Sequence, residues 1–281
     1  MGWRLTEHRR EYESAALPFL REEPVLHTVS LTVLETLRAA ARVCPEPPLF
    51  GWWTGPGGRV AGAFSHTPPY ELLLATLPDE AVGPLAEALA DWGRPLRGVH
   101  GTRRTAPLFA DAWARRTGCG VRVSMEQRLY ALTVLVPLDP APGRARPAGR
   151  EDTDVLVEWL RLFNHDVGMP DTNNSQVVEE RLGYGGFVVW ETGGLPVAAA
   201  GLTRPAGSVV RIGPVFTPEE HRRHGYGSAV TAAASRTALD RGADAVVLFT
   251  DLANPTSNSI YQRLGYQPVE ERLVLGFDRP G

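Results

Sequence analysis

The stretch of residues 209–266 alternates in a way that few folds accommodate. VVRIGPVF reads as an apolar strand, TPEEHRRH as a polar turn, and GYGSAV opens a long alanine-rich helix. AVVLFT then reads as a buried strand in a sheet covered on both faces. Asn254-Pro255 follows with the cap and first-turn chemistry of a short helix. At the centre lies Arg222-Arg223-His224-Gly225-Tyr226-Gly227-Ser228. A two-glycine turn feeding a helix leaves backbone N–H groups without intrahelical partners, and these can converge on one anion. The adjoining arginines add charge of the matching sign. This pattern predicts a phosphate or pyrophosphate site on an α/β scaffold.

A dinucleotide fold competes for the same residues, with Asp244 at a tempting distance downstream. It demands a third glycine where this chain has Val230. It also places its glycines directly after the strand, without the intervening TPEEHRRH. A nicotinamide oxidoreductase is therefore the weakest reading.

The remainder of the chain divides at PLDPAPGRARPAGR, residues 137–150, whose four prolines and two glycines predict an extended, non-helical connection. After it, Glu151 and Asp152 precede an amphipathic run through Val155, Leu156, Trp159, Leu160 and Phe163, the pattern of a first helix. A second helix is expected over 175–182, then strands GFVVWE and VAAAGLTR about Gly193-Gly194, and two short closing strands near 267–269 and 272–277. Before the connection, helical patterns open the chain and one covers 28–42. A hairpin follows about Gly55-Pro56-Gly57-Gly58, then alternating segments: strand ELLLATL, helix 81–92, strand 98–100, helix 106–117 and strand 124–135.

A chain of 281 residues accommodates two domains. Its net charge of −3 carries no footprint for nucleic acid. All 29 basic residues are arginine, which reads as GC-rich, bacterial coding and excludes lysine-dependent chemistry. Cys44 and Cys119 form neither a CxxC pair nor a metal cluster, so no metal is expected. The first twenty residues lack a signal core and no apolar run reaches membrane length, so the expected location is cytoplasmic, with no membrane partner.

The C-terminal block resembles a GCN5-related N-acetyltransferase (GNAT) domain. The resemblance rests on Arg146, Pro147, Ala148 and Asp152, on VVRIGPVF, on Arg222-x-x-Gly225-x-Gly227, and on Asn254-x-x-Ser257-x-x-Ile260-Tyr261-x-x-x-Gly265-Tyr266. It implies acetyl-CoA as cosubstrate and an amine as acceptor. The amides of Arg223, His224, Gly225, Tyr226, Gly227 and Ser228, with Arg222 beside them, would hold the pyrophosphate. Main chain at Val215 and Thr217 would pair with the pantetheine arm, and the Val215 N–H would polarise the thioester carbonyl, since Pro214 has none. Asn254 and Tyr261 would contact the arm and the departing sulfur. The Tyr261 hydroxyl is a weaker acid than a thiol, so it is expected to stabilise the thiolate by a hydrogen bond.

The implied fold is α/β: two tandem GNAT-like domains, each a mixed, curved sheet flanked by helices. Residues 1–136 would form a degenerate N-terminal copy, ending in SMEQRLYAL as tandem members do, 137–147 a linker and 148–281 the catalytic domain. The counterpart of the phosphate turn, sought in GVHGTRRTAP at 98–107, lacks the R-x-x-G-x-G pattern, and Arg103-Arg104 reads there as a solvated loop. The N-terminal domain is expected to wall the acceptor site or to mediate association, a homodimer included. The strand before the phosphate turn carries Arg211 and no carboxylate, so the general base stays open among His165, Asp166, Glu180, Glu191 and a water relay. The implied reaction is direct acetyl transfer to a primary amine of a small molecule or peptide. The alternative is a non-catalytic acyl-CoA-binding or regulatory module.

Overall fold

In the computed structural model, residues 1–39, 46–137, 141–170 and 173–278 are described. Cys44 and part of the 137–147 connection lie outside them.

The N-terminal half runs β1 (Gly2–Thr6), α1 (Arg9–Glu22), α2 (Thr28–Arg38), β2 (Leu49–Thr54), β3 (Val60–His66), β4 (Leu72–Leu74), α3 (Asp79–Trp92), β5 (Gly98–Thr102), α4 (Thr105–Thr117) and β6 (Val121–Leu132). The C-terminal half runs β7 (Arg144–Pro147), α5 (Thr153–Asp166), α6 (Asn174–Gly183), β8 (Phe187–Thr192), β9 (Leu195–Leu202), β10 (Val209–Phe216), α7 (Tyr226–Asp240), β11 (Ala245–Asp251), α8 (Pro255–Arg263) and β12 (Gln267–Phe277). The expected hairpins at 49–66 and 187–202 form as antiparallel pairs. The two closing strands are one, β12, with its register shifting between Pro268 and Glu270 against β6. β1 and β7 had no sequence signal of their own; each is short and pairs at a sheet edge.

All strands join one sheet in the order β1-β2-β3-β4-β5-β12-β6-β11-β10-β9-β8-β7. The two halves repeat the same path. β4 runs parallel to β5 across α3, as β10 runs parallel to β11 across α7. Their last strands are exchanged. β6, from the N-terminal half, pairs antiparallel with β11, and β12, from the C-terminal half, pairs antiparallel with β5. The exchanged strands pair with each other at the centre.

The exchange carries hydrophobic cores across the boundary. Leu273 and Leu275 of β12 complete the apolar cluster of Leu72, Leu74, Leu85 and Phe109. Tyr130 and Leu132 of β6 complete the cluster of Val230, Ala234, Val246 and Leu264. Each fully buried leucine contributes roughly 1.5–3 kcal/mol, so neither half keeps its core without the other's strand. α7 presents Ala234 and Ala238 to the sheet, and these small side chains let the helix sit close to β8, β9 and β10.

Candidate active site

β10 and β11 pair only from Val209↔Ala245 to Arg211↔Val247. Beyond that, β10 stays with β9, Val215 opposite Ala200 and Phe216 opposite Ala199, after a register shift between Ile212 and Val215. β11 stays with β6 through Asp251↔Gln127. The central strands therefore part toward their C-terminal ends, the end where open α/β sheets bind ligands. Arg181 of α6 reaches into this region: its Nη1 donates to the Gly213 carbonyl oxygen at 2.7 Å, and its guanidinium lies 5.4 Å from the Phe187 ring centre.

The glycine turn follows β10. Arg222 Nε donates to the Thr217 carbonyl at 3.1 Å, so that oxygen is already engaged. Arg223 has φ 66°, the one left-handed non-glycine among the described residues, and Gly225 has φ 80° as the N-cap of α7. This backbone leaves the N–H groups of residues 223–228 without a protein acceptor among the described residues. Arg222, Arg223, His224 and Gly225 are exposed, and His224 stacks on Tyr226 with ring centres 5.5 Å apart. Gly227 adds no side chain to the cradle; a Cβ there would stand 3.4 Å from Thr217 Oγ1. Free amides, two guanidinium groups and a helix N-terminus suit a diphosphate.

α8 begins as expected. Asn254 Oδ1 accepts from the Ser257 N–H at 3.0 Å, and Pro255 occupies the first turn. Tyr261 is buried with Tyr130, Tyr226 and Tyr266 in one cluster, against which Val215 also packs. Its ring meets Tyr130 at 6.4 Å and Tyr266 at 5.9 Å. Burial pushes the Tyr261 hydroxyl up to about 12, with a hydrogen bond to Ser257 acting the other way. The first turn of α7, the parting of β10 and the tyrosine of α8 thus gather round one apolar cluster.

Residues 153–266 match the model of the acetyltransferase (GNAT) family. These residues form a GNAT domain. The fold of the chain is similar to several solved structures. A Drosophila protein is 13% identical over 99% of both chains, with a TM-score of 0.68. A GCN5-related N-acetyltransferase from Sphaerobacter thermophilus is 17% identical, with a TM-score of 0.62 over 88% of this chain and 86% of that one. A tandem GNAT protein from the clavulanic acid biosynthesis pathway is 14% identical over 99% of both chains, with a TM-score of 0.57. No curated protein matches the sequence. The family match sets the dinucleotide reading aside.

Against the GNAT domain, the other half shows what its site lacks. By topology the counterpart of the glycine turn precedes α3, not residues 98–107 as the sequence suggested. α3 starts at Pro78-Asp79-Glu80, whose carboxylates repel an anion where Arg222 and Arg223 attract one. Arg103 is bound to Glu126 and Glu271, and Arg104 to Asp79. Thr102 Oγ1 accepts from the Thr105 N–H at 3.0 Å, as Asn254 does from Ser257. Counting on from that cap sets the buried Phe109, without a hydroxyl, where the GNAT domain has Tyr261.

The four candidate bases separate in space. Glu191 is held by Arg144 and by Arg146, whose guanidinium also grips the buried Asp152 at 2.7 and 2.8 Å. Asp166 and His165 are exposed, Asp166 lying 4.0 Å from Arg222. Glu180 alone of the four lines a cavity of about 290 Å³ between the halves. Thr32, Thr36 and Tyr70 wall it from the N-terminal side; Arg181, Tyr184, Arg204 and Arg211 wall it from the GNAT domain. Arg181, Tyr184 and the cavity were not picked out from sequence, because only tertiary packing brings the two walls together. Among the described residues no three His, Cys, Asp or Glu side chains group as a metal site, and no helix is long and apolar enough to cross a membrane.

Proposed function

We propose that this protein transfers the acetyl group of acetyl-CoA directly to a primary amine. The observation that carries the reading is the free amide cradle of residues 223–228 beside parted strands and Tyr261. The cradle and the flanking arginines hold the diphosphate. Main chain at Val215 and Thr217, with Asn254, guides the pantetheine arm. The neutral amine attacks the thioester carbon; the new C–N bond forms, the C–S bond breaks, and the nitrogen's surplus proton leaves with the thiolate as thiol. The Val215 N–H supports the carbonyl oxygen, and the Tyr261 hydroxyl hydrogen-bonds the departing sulfur. Glu180, the one candidate base on the cavity, takes the ammonium proton beforehand through water.

Residues 1–136 act in this reading as a GNAT-like copy without a cofactor site, 137–147 as the connection, and 148–281 as the catalytic domain. The first copy supplies one wall of the acceptor cavity and receives β12 in exchange for β6. The protein acts in the cytoplasm. The test is release of free CoA with a library of amines, read together with the acetyl mass gain of the acceptor. Tight acetyl-CoA binding with no turnover on any amine would leave a binding module instead.

A further inference from the structure

We propose that Tyr130, which the N-terminal half supplies on the exchanged strand β6, is a positioning residue for acetyl transfer: it fixes α8 so that the Tyr261 hydroxyl meets the departing sulfur. The inference rests on the acetyltransferase reading and gives the first half of the chain a part in the chemistry of the second.

α8 has nine residues, and of these only Tyr261 is buried. A helix so short is held by its tertiary contacts, not by its own propensity. Tyr130 supplies such contacts. It is fully buried in the sheet, opposite Leu248 of β11 on one side and Pro268 of β12 on the other. Its hydroxyl donates to Asn258 Oδ1 at 3.0 Å and accepts from Gln262 Nε2 at 3.2 Å. Those two partners stand four residues apart on α8, so they share one face of the helix. Tyr261 lies next to Gln262, and its ring meets the Tyr130 ring edge-on at 6.4 Å. Asn258 carries the tie further. Its Nδ2 donates to the Asp251 carbonyl at the end of β11 at 2.9 Å, and to the Asn254 carbonyl at the start of α8 at 2.8 Å. The Tyr130 hydroxyl thus gives its one proton, and the Asn258 amide both of its own. Through this network a strand of the first half sets the angle of the helix that carries Tyr261. The bonds are modest one by one, but misplacing a reacting group by about 1 Å costs up to about a hundredfold in rate.

Y130F in the full chain keeps the ring and removes the hydroxyl. Its kcat should fall about tenfold while KM for acetyl-CoA stays unchanged. A hydroxyl that serves stability alone would lower the urea midpoint and leave kcat of the folded protein as it was, which overturns the inference. The double variant separates the two roles. Because Tyr130 acts through Tyr261, Y130F/Y261F should turn over within about twofold of Y261F. Losses that multiply overturn the inference and leave the acetyltransferase reading standing. Should Y130F fail to fold, Q262A cuts one of the two bonds from the exposed side of α8 and enters the same cycle. If no amine is acetylated, that reading fails, and hydrogen exchange read by mass spectrometry still decides the tie. In Y130F the amides of α8 should exchange about tenfold faster while those of α7 keep their native rate. Equal acceleration in both helices, or none in α8, overturns the inference.

Discussion

Arg181 Nη1 and the Gly213 carbonyl oxygen are joined by a 2.7 Å hydrogen bond that ties α6 to the point where β10 leaves β11. The same guanidinium lines the cavity between the halves. One side chain therefore couples the wall of that cavity to β10 where it has left β11.

Gly201 makes this arrangement possible. A Cβ at Gly201 would run into the Arg181 guanidinium and stand 2.9 Å from the Gly213 oxygen. Gly201→Ala should displace the arginine, lowering kcat by up to about a hundredfold through misplacement of the strand. It should cost only about 1–3 kcal/mol of stability from overpacking. Steady-state rates beside urea midpoints check this; unchanged kcat would deny the strand its positioning role.

Tyr261→Phe should lower kcat on the order of tenfold to a hundredfold, the cost of one hydrogen bond to a developing charge, with little change in KM for acetyl-CoA. The tyrosine also marks the alkaline limit. Its hydroxyl ordinarily titrates near 10 and is pushed up to about 12 by burial. The stability it contributes is whole below pH 10 and is lost as pH rises through 12, on the order of 2 kcal/mol. Urea midpoints from pH 9 to 12 should fall less steeply for Tyr261→Phe.

Glu180→Gln should reduce kcat/KM at neutral pH about a hundredfold, the lower range for a lost general base. The deficit should shrink as pH approaches the acceptor's own pKa, where free amine no longer needs the base. A pH profile parallel to that of the native protein would remove Glu180 from the proton path.

Isothermal titration should give one acetyl-CoA per chain. Asp79 and Glu80 occupy the start of α3, where the GNAT domain offers free amides and arginines. A stoichiometry of two would overturn the reading of the N-terminal half as a copy without a cofactor site.

Arg146→Met should destabilise the protein by about 2 kcal/mol, because it strands the buried Asp152 carboxylate. Burial pushes that carboxyl up, but the Arg146 and Gly149 hydrogen bonds outweigh it and hold it below its ordinary 3.8. In the native protein this contribution is present above about pH 4 and is lost on further acidification. Acid unfolding midpoints should therefore separate the native protein from the variant above pH 4 and converge below it.

The glycine turn, the Asn254 cap and the Pro255 start are where the sequence read furthest. Each depends on residues within a few positions of one another, so φ preference and capping chemistry decide them locally. The apolar run of β11 was legible for the same reason. β1 and β7 were not, because each is a few residues at a sheet edge with little burial pattern to display.

The sequence by itself determined the two-glycine turn that opens α7, the α/β alternation and the duplication of one path. Tertiary structure alone decided that the final strands trade places, that α3 rather than residues 98–107 answers to the phosphate helix, and that Glu180 rather than Glu191 meets the cavity. Backbone pairing carries almost no side-chain code. Two similar closing strands are therefore told apart only when β12 and β6 bury their apolar faces in opposite halves.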